Sequence, residues 1–183
     1  STLNVSKRLN KQLTLQATVG AEYSEIRQTG SSNVTRDFVL PKGFLALNYK
    51  PADDLFLSAK LERAVGQLRF FDFIASVDVN QEREDVTNVN LVPPQSWDFT
   101  LEAQQSLGKS GNLTLSLFYE DVEDIVDRIP IERGGQAPGN IDSASAYGGF
   151  FDATLLSDEF LWKGGRADLS FGYMTSKVKD PIL

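Results

Sequence analysis

The feature that most constrains this chain is an alternation of apolar and polar residues that restarts repeatedly along its length. From Leu113 to Tyr119 the sequence reads Leu-Thr-Leu-Ser-Leu-Phe-Tyr, with an apolar residue at every second position. Successive side chains of a β-strand point to opposite faces of the sheet, so this segment has one apolar face and one mostly polar face. The alternation recurs in about eight segments, which predicts about eight strands.

The segment that begins at Leu13 indicates how long these strands are. Its apolar positions are Leu13, Leu15, Ala17, Val19, Ala21 and Tyr23, with polar or small residues between them. This run is longer than the about 5 to 6 residues of a typical soluble strand. A tilted strand that crosses a membrane needs about 9 to 11 residues. The length therefore favours membrane-crossing strands.

The predicted connections alternate between short and long, which places all the short ones at one end of the sheet. Short turns are expected near Lys7, Pro51, Gly108 and Ser157. Longer connections are expected near Gln28, Val65 and Arg128. Outer-membrane barrels combine short turns at one end with long loops at the other, and an outward apolar face with a polar interior. We therefore predict an all-β fold, an antiparallel up-and-down meander that is part of a transmembrane β-barrel wall.

A second hypothesis, from a different class of protein, stays open at this stage. A small self-contained β-barrel or sandwich that binds a hydrophobic ligand or a protein partner also has alternating strands. In that fold the apolar face would be sealed inside a core, whereas in a membrane barrel it would contact lipid. The surroundings of the apolar face therefore separate the two hypotheses.

The composition excludes several functions. The 183 residues include neither cysteine nor histidine, so disulfides, thiolate chemistry, Ser-His-Asp catalysis and histidine-ligated metals or haem are not available. The net charge of −7 does not suit a nucleic-acid binder, which needs a basic surface to meet phosphates. We therefore expect no enzyme activity, no cofactor and no nucleic-acid partner. The length suits one domain, and nothing in the sequence marks a second.

Three segments resemble motifs of the TonB-dependent outer-membrane receptors. Residues 88–96 read Asn-Val-Asn-Leu-Val-Pro-Pro-Gln-Ser, similar to the Asn-x-x-Leu-x-Pro-Glu-x-Ser segment that leads from an outer loop into a descending strand in that family. Pro94 stands where the family usually has glutamate. Residues 119–126 resemble a strand end of the family with its Asp-x-Ile ending, and Asn140 with Tyr147-Gly148 resembles the next strand. The resemblance is strongest from Leu55 to Leu183.

This resemblance implies a fold, a location and a function. Residues 1–183 would be a partial β-barrel domain from the C-terminal half of a barrel of about 22 strands. The plug domain and TonB box of the family are not recognisable here, so we expect a fragment cut at both ends. The implied function is TonB-dependent uptake of a ferric siderophore or another large nutrient across the outer membrane of a Gram-negative bacterium. The implied partners are outer-membrane lipid, the nutrient, and the TonB energy-coupling complex, which would act through the absent plug.

Carboxylate clusters are the first candidate sites, because calcium prefers clustered oxygen ligands. One cluster comprises Asp78, Glu82, Glu84 and Asp85, and the other comprises Asp121, Glu123, Asp124 and Asp127. The second cluster could also supply the carboxylate pair of a glycosidase. A solvated loop and a strand end near water are the simpler interpretations. We therefore predict no catalytic, cofactor or metal site, and the substrate-binding residues stay unknown.

Arginine and aromatic residues are the remaining candidates for ligand contact. An anionic chelate could be bound by the planar donors of Arg63, Arg69 and Arg133, although scattered surface arginines are the simpler interpretation. A ligand could also contact Phe70, Phe71 and Phe73, for which we favour packing onto the barrel rim. Trp97 and Trp162 are expected at opposite ends of the sheet, where membrane barrels carry girdles of aromatic residues.

Overall fold

The computed structural model describes residues 1–28, 34–68, 76–78, 83–85, 90–130, 136–157 and 164–179. These residues form ten β-strands: β1 Thr2–Arg8, β2 Leu13–Gln28, β3 Val34–Ala52, β4 Leu55–Val65, β5 Ser76–Asp78, β6 Arg83–Asp85, β7 Gln95–Ser106, β8 Gly111–Pro130, β9 Gln136–Leu156 and β10 Arg166–Lys179. A short 3₁₀ turn at Gly108–Ser110 precedes β8. None of the helical structure in the described residues is long and apolar enough to cross a membrane.

Eight of these strands form one antiparallel meander. The order along the sheet is β1, β2, β3, β4, β7, β8, β9 and β10, so each long strand pairs with the next one in sequence. β5 and β6 form a small hairpin that meets the sheet where Asp85 lies opposite Gln136 of β9. The predicted all-β, up-and-down meander of about eight strands is confirmed.

The two ends of the sheet carry different connections. The chain turns between β1 and β2, β3 and β4, β7 and β8, and β9 and β10 at the end that we call the lower end. The other three connections lie at the upper end. At the lower end the Asn10 side-chain Oδ1 accepts hydrogen bonds from the backbone N–H groups of Gln12 and Leu13, at 2.8 Å each. Asparagine is common in tight turns because its side chain can replace a backbone acceptor in this way.

The prediction of a long loop near Arg128 is wrong, and the difference lies in how far the strands extend. β8 continues to Pro130 and β9 begins at Gln136, so these two strands project from the upper end as a long hairpin. β10 pairs with β9 only from Ser143 onwards, so the segment of β9 around Pro138 pairs with β8 but not with β10. Proline is tolerated there because its missing N–H is not needed for a ladder with β10. Backbone pairing therefore continues beyond the point where the apolar alternation stops.

The connection lengths differ from the expected alternation at two other positions. β2 reaches Gln28 and β3 starts at Val34, so the connection expected to be long there is short between the strand ends. The turn expected to be short near Ser157 lies between Leu156 and Arg166, so it is longer than the other lower-end turns, and Ser157 donates its backbone N–H to the Gly165 carbonyl at 2.9 Å. Of the three connections expected to be long, the one between β4 and β7 is long, and it contains β5 and β6.

Side chains of the meander sort into two faces, as the alternation predicts. On the apolar face Leu47, Ala59, Leu101 and Leu117 lie side by side across four strands. On the polar face Lys60 lies opposite Thr100, and Ser58 lies opposite Glu102. Large side chains of the apolar face remain exposed, for example Leu45 at 50% and Leu117 at 44%. In the described part of the chain the buried apolar side chains are few: Ala46, Leu91, Pro93, Ala137, Ile141 and Ala153.

Candidate functional site: polar face and upper rim

The apolar face is a continuous surface rather than a ligand pocket. A shallow depression of about 300 Å³ lies on it, where the small residues Ala59 and Ala103 lie among larger apolar side chains. Its walls are formed by Leu47, Tyr49, Leu57, Leu101, Leu115 and Leu117. Near the upper end the face ends in aromatic side chains, with Phe99 directly opposite Tyr119 and Tyr119 directly opposite Tyr147. Leucine over most of the surface and aromatic residues at its border are typical of the lipid-facing band of a membrane barrel.

The polar face carries a row of three carboxylates at one level. Glu62 of β4 lies directly opposite Asp98 of β7, which lies directly opposite Glu120 of β8. Like charges in directly opposite positions destabilise a sheet. Lys60 relieves part of this repulsion, because its Nζ lies 2.5 Å from the Glu62 carboxylate and 5.0 Å from the centre of the Phe44 ring. We call Glu62, Asp98 and Glu120 the acidic row.

A second group on the polar face is aromatic. The rings of Phe118 and Phe150 are stacked, with their centres 5.9 Å apart and 13° between their planes. Each ring covers a glycine of a neighbouring strand: a Cβ atom added to Gly148 would lie 2.9 Å from the Phe118 ring, and one added to Gly172 would lie 2.7 Å from the Phe150 ring. The rings therefore occupy space that is free only because these two positions have no side chain.

At the upper end of the apolar face the Arg63 side chain connects three strands. Its guanidinium carbon lies 5.3 Å from the centre of the Trp97 ring, directly across the β4–β7 ladder. Its Nη2 donates to the Gln95 side chain at 2.8 Å and to the Glu123 carboxylate at 3.3 Å. Only 16% of the side chain is exposed, and Nη1 is buried with no hydrogen-bond partner among the described residues. Because Arg63 lies on the same side as Leu61, it does not belong to the polar face.

Residues 90–94 cross the upper end as an irregular segment, which we call the strap. Leu91 is fully buried and Pro93 is buried. The side chain of Asn140, in β9, accepts from the Val92 N–H at 2.9 Å and donates to the Val92 carbonyl at 2.9 Å. The same amide nitrogen donates to the Asp124 carbonyl of β8 at 2.7 Å. At its other end the strap accepts a hydrogen bond from the Gly66 N–H to the Pro94 carbonyl at 2.7 Å.

Asp124 occupies an irregular position in β8. Its φ of +58° is in the left-handed region, which non-glycine residues other than Asn and Asp rarely adopt. The ladder with β9 passes from Glu123 opposite Ser143 to Ile125 opposite Ile141 and skips Asp124. Partial burial raises the pKa of the Asp124 carboxyl above its ordinary value, with further contributions from the negative charges of Glu123 and Asp142, which Arg63 opposes. Ionisation of the Asp124 carboxyl therefore costs free energy in the folded protein.

The structure describes only some of the residues that the sequence grouped as candidates. Arg69, Arg133, Phe70, Phe71, Phe73, Trp162 and Glu82 lie outside the described residues, as do the side chains of Asp78, Glu84 and Asp85. Trp97 lies at the upper border of the apolar face and is 46% exposed. Among the described residues no three Asp, Glu, His or Cys side chains are grouped so that they could hold a metal ion, so Asp121, Glu123, Asp124 and Asp127 form no such cluster.

Two features of the site were missed by sequence reasoning. Phe118 and Phe150 stand at polar positions of the alternation, and their only signal was the presence of Gly148 and Gly172 on neighbouring strands. Asn140 was noticed through the resemblance, but its contact with Val92 joins residues that are 48 positions apart. Neither contact could be found without the register of β8 against β9.

Comparison with known proteins agrees with this geometry. Residues 3–181 match the family model described as TonB dependent receptor-like, beta-barrel. No curated protein matches the sequence. Solved structures do match, among them the copper transporter OprC, with a TM-score of 0.72 and 18% identity, over 94% of this chain and 27% of that chain.

Two further structures are similar in the same way. The FrpB iron transporter from Neisseria meningitidis (F3-3 variant) has a TM-score of 0.73 and 11% identity, over 98% of this chain and 25% of its own. The alcaligin outer-membrane receptor FauA from Bordetella pertussis has a TM-score of 0.61 and 15% identity, over 97% of this chain and 29% of its own. At these identities the likeness concerns the fold, and the chain spans only about a quarter of each protein. With the family model matched from residue 3 to residue 181, the chain belongs to the TonB-dependent receptors and represents part of their β-barrel.

Proposed function

We propose that this chain is part of the barrel wall of a receptor in the outer membrane of a Gram-negative bacterium. The receptor would take up a ferric siderophore or another large nutrient with energy from the TonB complex. In this proposal residues 1–183 form one partial barrel domain, and TonB acts through a plug that this sequence does not include. The chain itself would contribute wall and upper-end loops, with no bond chemistry.

One observation carries the proposal: the apolar face of an eight-stranded sheet is exposed, while the opposite face is polar. In the described residues no apolar core seals this face, since Leu45, Leu117 and Phe171 are 50%, 44% and 70% exposed. Leaving so large an apolar surface in water would be strongly unfavourable, whereas contact with acyl chains removes that cost. The same observation argues against the self-contained soluble barrel or sandwich, whose apolar face would be covered by the protein itself.

The polar face would line the lumen of the complete barrel. The acidic row of Glu62, Asp98 and Glu120 would repel a solute of negative charge at this level of the wall, and Lys60 offsets only part of that charge. An anionic iron chelate would therefore be captured by loops at the upper end rather than by this part of the wall. The similar proteins are named as a copper transporter, an iron transporter and an alcaligin receptor, so copper, iron and ferric alcaligin are the first solutes to test.

The test uses the complete gene in its own bacterium. A deletion strain and a strain complemented with the full-length gene are starved of metal, and uptake of radioactive ferric alcaligin, ferric citrate and copper is measured with and without a protonophore. The proposal predicts that deletion abolishes energy-dependent uptake of at least one probe and that complementation restores it. Recovery of the full-length protein in the soluble fraction, or uptake of every probe at wild-type rates in the deletion strain, would contradict it.

A further inference from the structure

The strap has a composition that prevents ordinary sheet pairing. Pro93 and Pro94 follow each other, and proline has no backbone N–H to donate to a ladder. The strap can therefore not join the sheet as another strand, although it passes next to β8 and β9. The strap must therefore be attached to the sheet by side-chain contacts and by isolated backbone hydrogen bonds.

Asn140 supplies this attachment by acting as a substitute for a neighbouring strand. Its side-chain oxygen accepts from the Val92 N–H and its nitrogen donates to the Val92 carbonyl, both at 2.9 Å. These are the two bonds that a strand partner would make with Val92. The second hydrogen of the same nitrogen reaches the Asp124 carbonyl at 2.7 Å, so one side chain joins the strap, β8 and β9. The chemistry also fixes the orientation of the amide, because only its oxygen can face the Val92 N–H.

The carbonyl of Asp124 is available because β8 is irregular at this position. The ladder between β8 and β9 skips Asp124, whose φ is +58°. The register is the same on both sides of this position, because Asp142 of β9 is skipped together with Asp124, so the ladder is interrupted here without an extra residue in either strand. The Asp124 carbonyl instead accepts a hydrogen bond from the Asn140 side chain, so the irregular residue and the asparagine act together.

Packing holds the strap at the same place. Leu91 is 0% exposed, so its side chain is anchored in the body of the rim. The Gly66 N–H donates to the Pro94 carbonyl at 2.7 Å, which ties the far end of the strap to the end of β4. The strap thus has one attachment at β4 and one at the β8–β9 hairpin.

We propose that Asn140 is a positioning residue that couples the strap to the paired strands of the β8–β9 hairpin, so that the two respond together. This goes beyond the proposed uptake function and does not depend on the identity of the solute. In an uptake receptor the strap and the hairpin strands would lie at the mouth of the barrel and would be presented to a solute together. Because coupling between two segments is reciprocal, loosening either the strap or the hairpin should accelerate amide exchange in the other.

The test is amide hydrogen exchange of the full-length protein in detergent, with two substitutions on opposite sides of the contact. Asn140→Ala lies in the hairpin, and we expect it to accelerate exchange of the Val92 and Gly66 amides by about tenfold or more, since the strap loses its side-chain bonds. Leu91→Val lies in the strap, and we expect it to accelerate exchange in residues 124–130 of the hairpin. Asn140→Asp keeps an acceptor for the Val92 N–H but loses both donors, so its bonds to the Val92 and Asp124 carbonyls disappear and we expect faster exchange of the Gly66 amide, as with alanine.

Asn48→Ala is the matched control, because Asn48 also makes a side-chain hydrogen bond within the sheet, accepting from the Ser58 hydroxyl at 3.0 Å. It should leave exchange at the upper end unchanged. Purely local effects, in which Asn140→Ala changes only the hairpin and Leu91→Val changes only the strap, would overturn the proposal. Because no solute is used, such a result would leave the uptake function untouched, and a failure to find uptake would leave the coupling untouched.

Discussion

Phe118 and Phe150 lie on the polar face with their rings stacked, 5.9 Å between centres, and each ring lies over a glycine of a neighbouring strand. Aromatic rings that cover glycines in a sheet protect backbone that would otherwise be open and restrict slippage of the register. Two of the largest apolar side chains on the polar face are therefore structural. The Phe150 ring explains why residue 172 is glycine, whereas a Cβ added to Gly148 would meet the Tyr173 backbone oxygen as well as the Phe118 ring.

Phe150→Ala should destabilise the barrel by about 1 kcal/mol, because the aromatic pair is lost and Gly172 is uncovered. The measurement is unfolding of the full-length protein by urea in detergent or lipid vesicles. Phe56→Ala is the control, since Phe56 also lies on the polar face, opposite Gln104. An equal loss of stability in both variants would show that the stacked pair contributes nothing specific.

Leu117→Arg should destabilise the membrane-inserted protein by about 2–4 kcal/mol, because it places a charge on the lipid-facing surface. The neighbouring Ser116→Arg changes the opposite face, where Glu102 lies directly across and can pair with the new charge. We expect this control to insert and unfold almost as the wild type does. Equal tolerance of both substitutions in lipid vesicles would contradict the assignment of the two faces.

Asp98→Asn should stabilise the barrel by about 0.2–1 kcal/mol, since the middle charge of the acidic row is removed and repulsion with Glu62 and Glu120 falls. The Ser96 hydroxyl donates to the Asp98 carboxylate at 2.8 Å, and the asparagine oxygen can still accept that bond. Urea unfolding at low and high salt measures the effect, which should shrink as salt screens the charges. Asp152→Asn, on the same face but outside the row, is the control and should change stability less.

Asp124→Asn should stabilise the protein at neutral pH by about 0.5 kcal/mol or less, since it removes an ionised group that is partly buried and has like-charged neighbours. The folded state raises the pKa of this carboxyl, so the ionised form is disfavoured in the folded protein, and the cost is fully present above the raised pKa. As the pH falls through the raised pKa, Asp124 of the folded wild type gains a proton, and the difference in unfolding free energy between the two proteins shrinks. This difference should vanish below the ordinary pKa of 3.8.

The measurement is the difference in unfolding free energy between the variant and the wild type at several pH values. Asp127→Asn, an exposed position of the same hairpin, serves as the control. Asparagine also tolerates the left-handed conformation of residue 124, so the backbone should not change. A difference that stays constant as the pH is lowered would show that ionisation of Asp124 is not its cause.

The sequence predicted the faces and the order of strands, because a period of two residues determines which side chains share a face. It failed where pairing no longer depended on that period. β8 and β9 continue through Asp124 and Pro138, which break the alternation without ending the ladder. The contacts of Asn140 with Val92, and of Arg63 with Glu123, join residues far apart in sequence, so only the register of the sheet brings them together.

The outermost strands, β1 and β10, each have a ladder partner on one side only among the described residues. Every second peptide group along those borders points away from the sheet and can accept or donate to an incoming strand. The rest of such a receptor, synthesised as a separate chain, could therefore pair with this sheet at both outer strands. Expressing the barrel from two gene fragments that complement each other thus becomes a practical way to engineer the receptor.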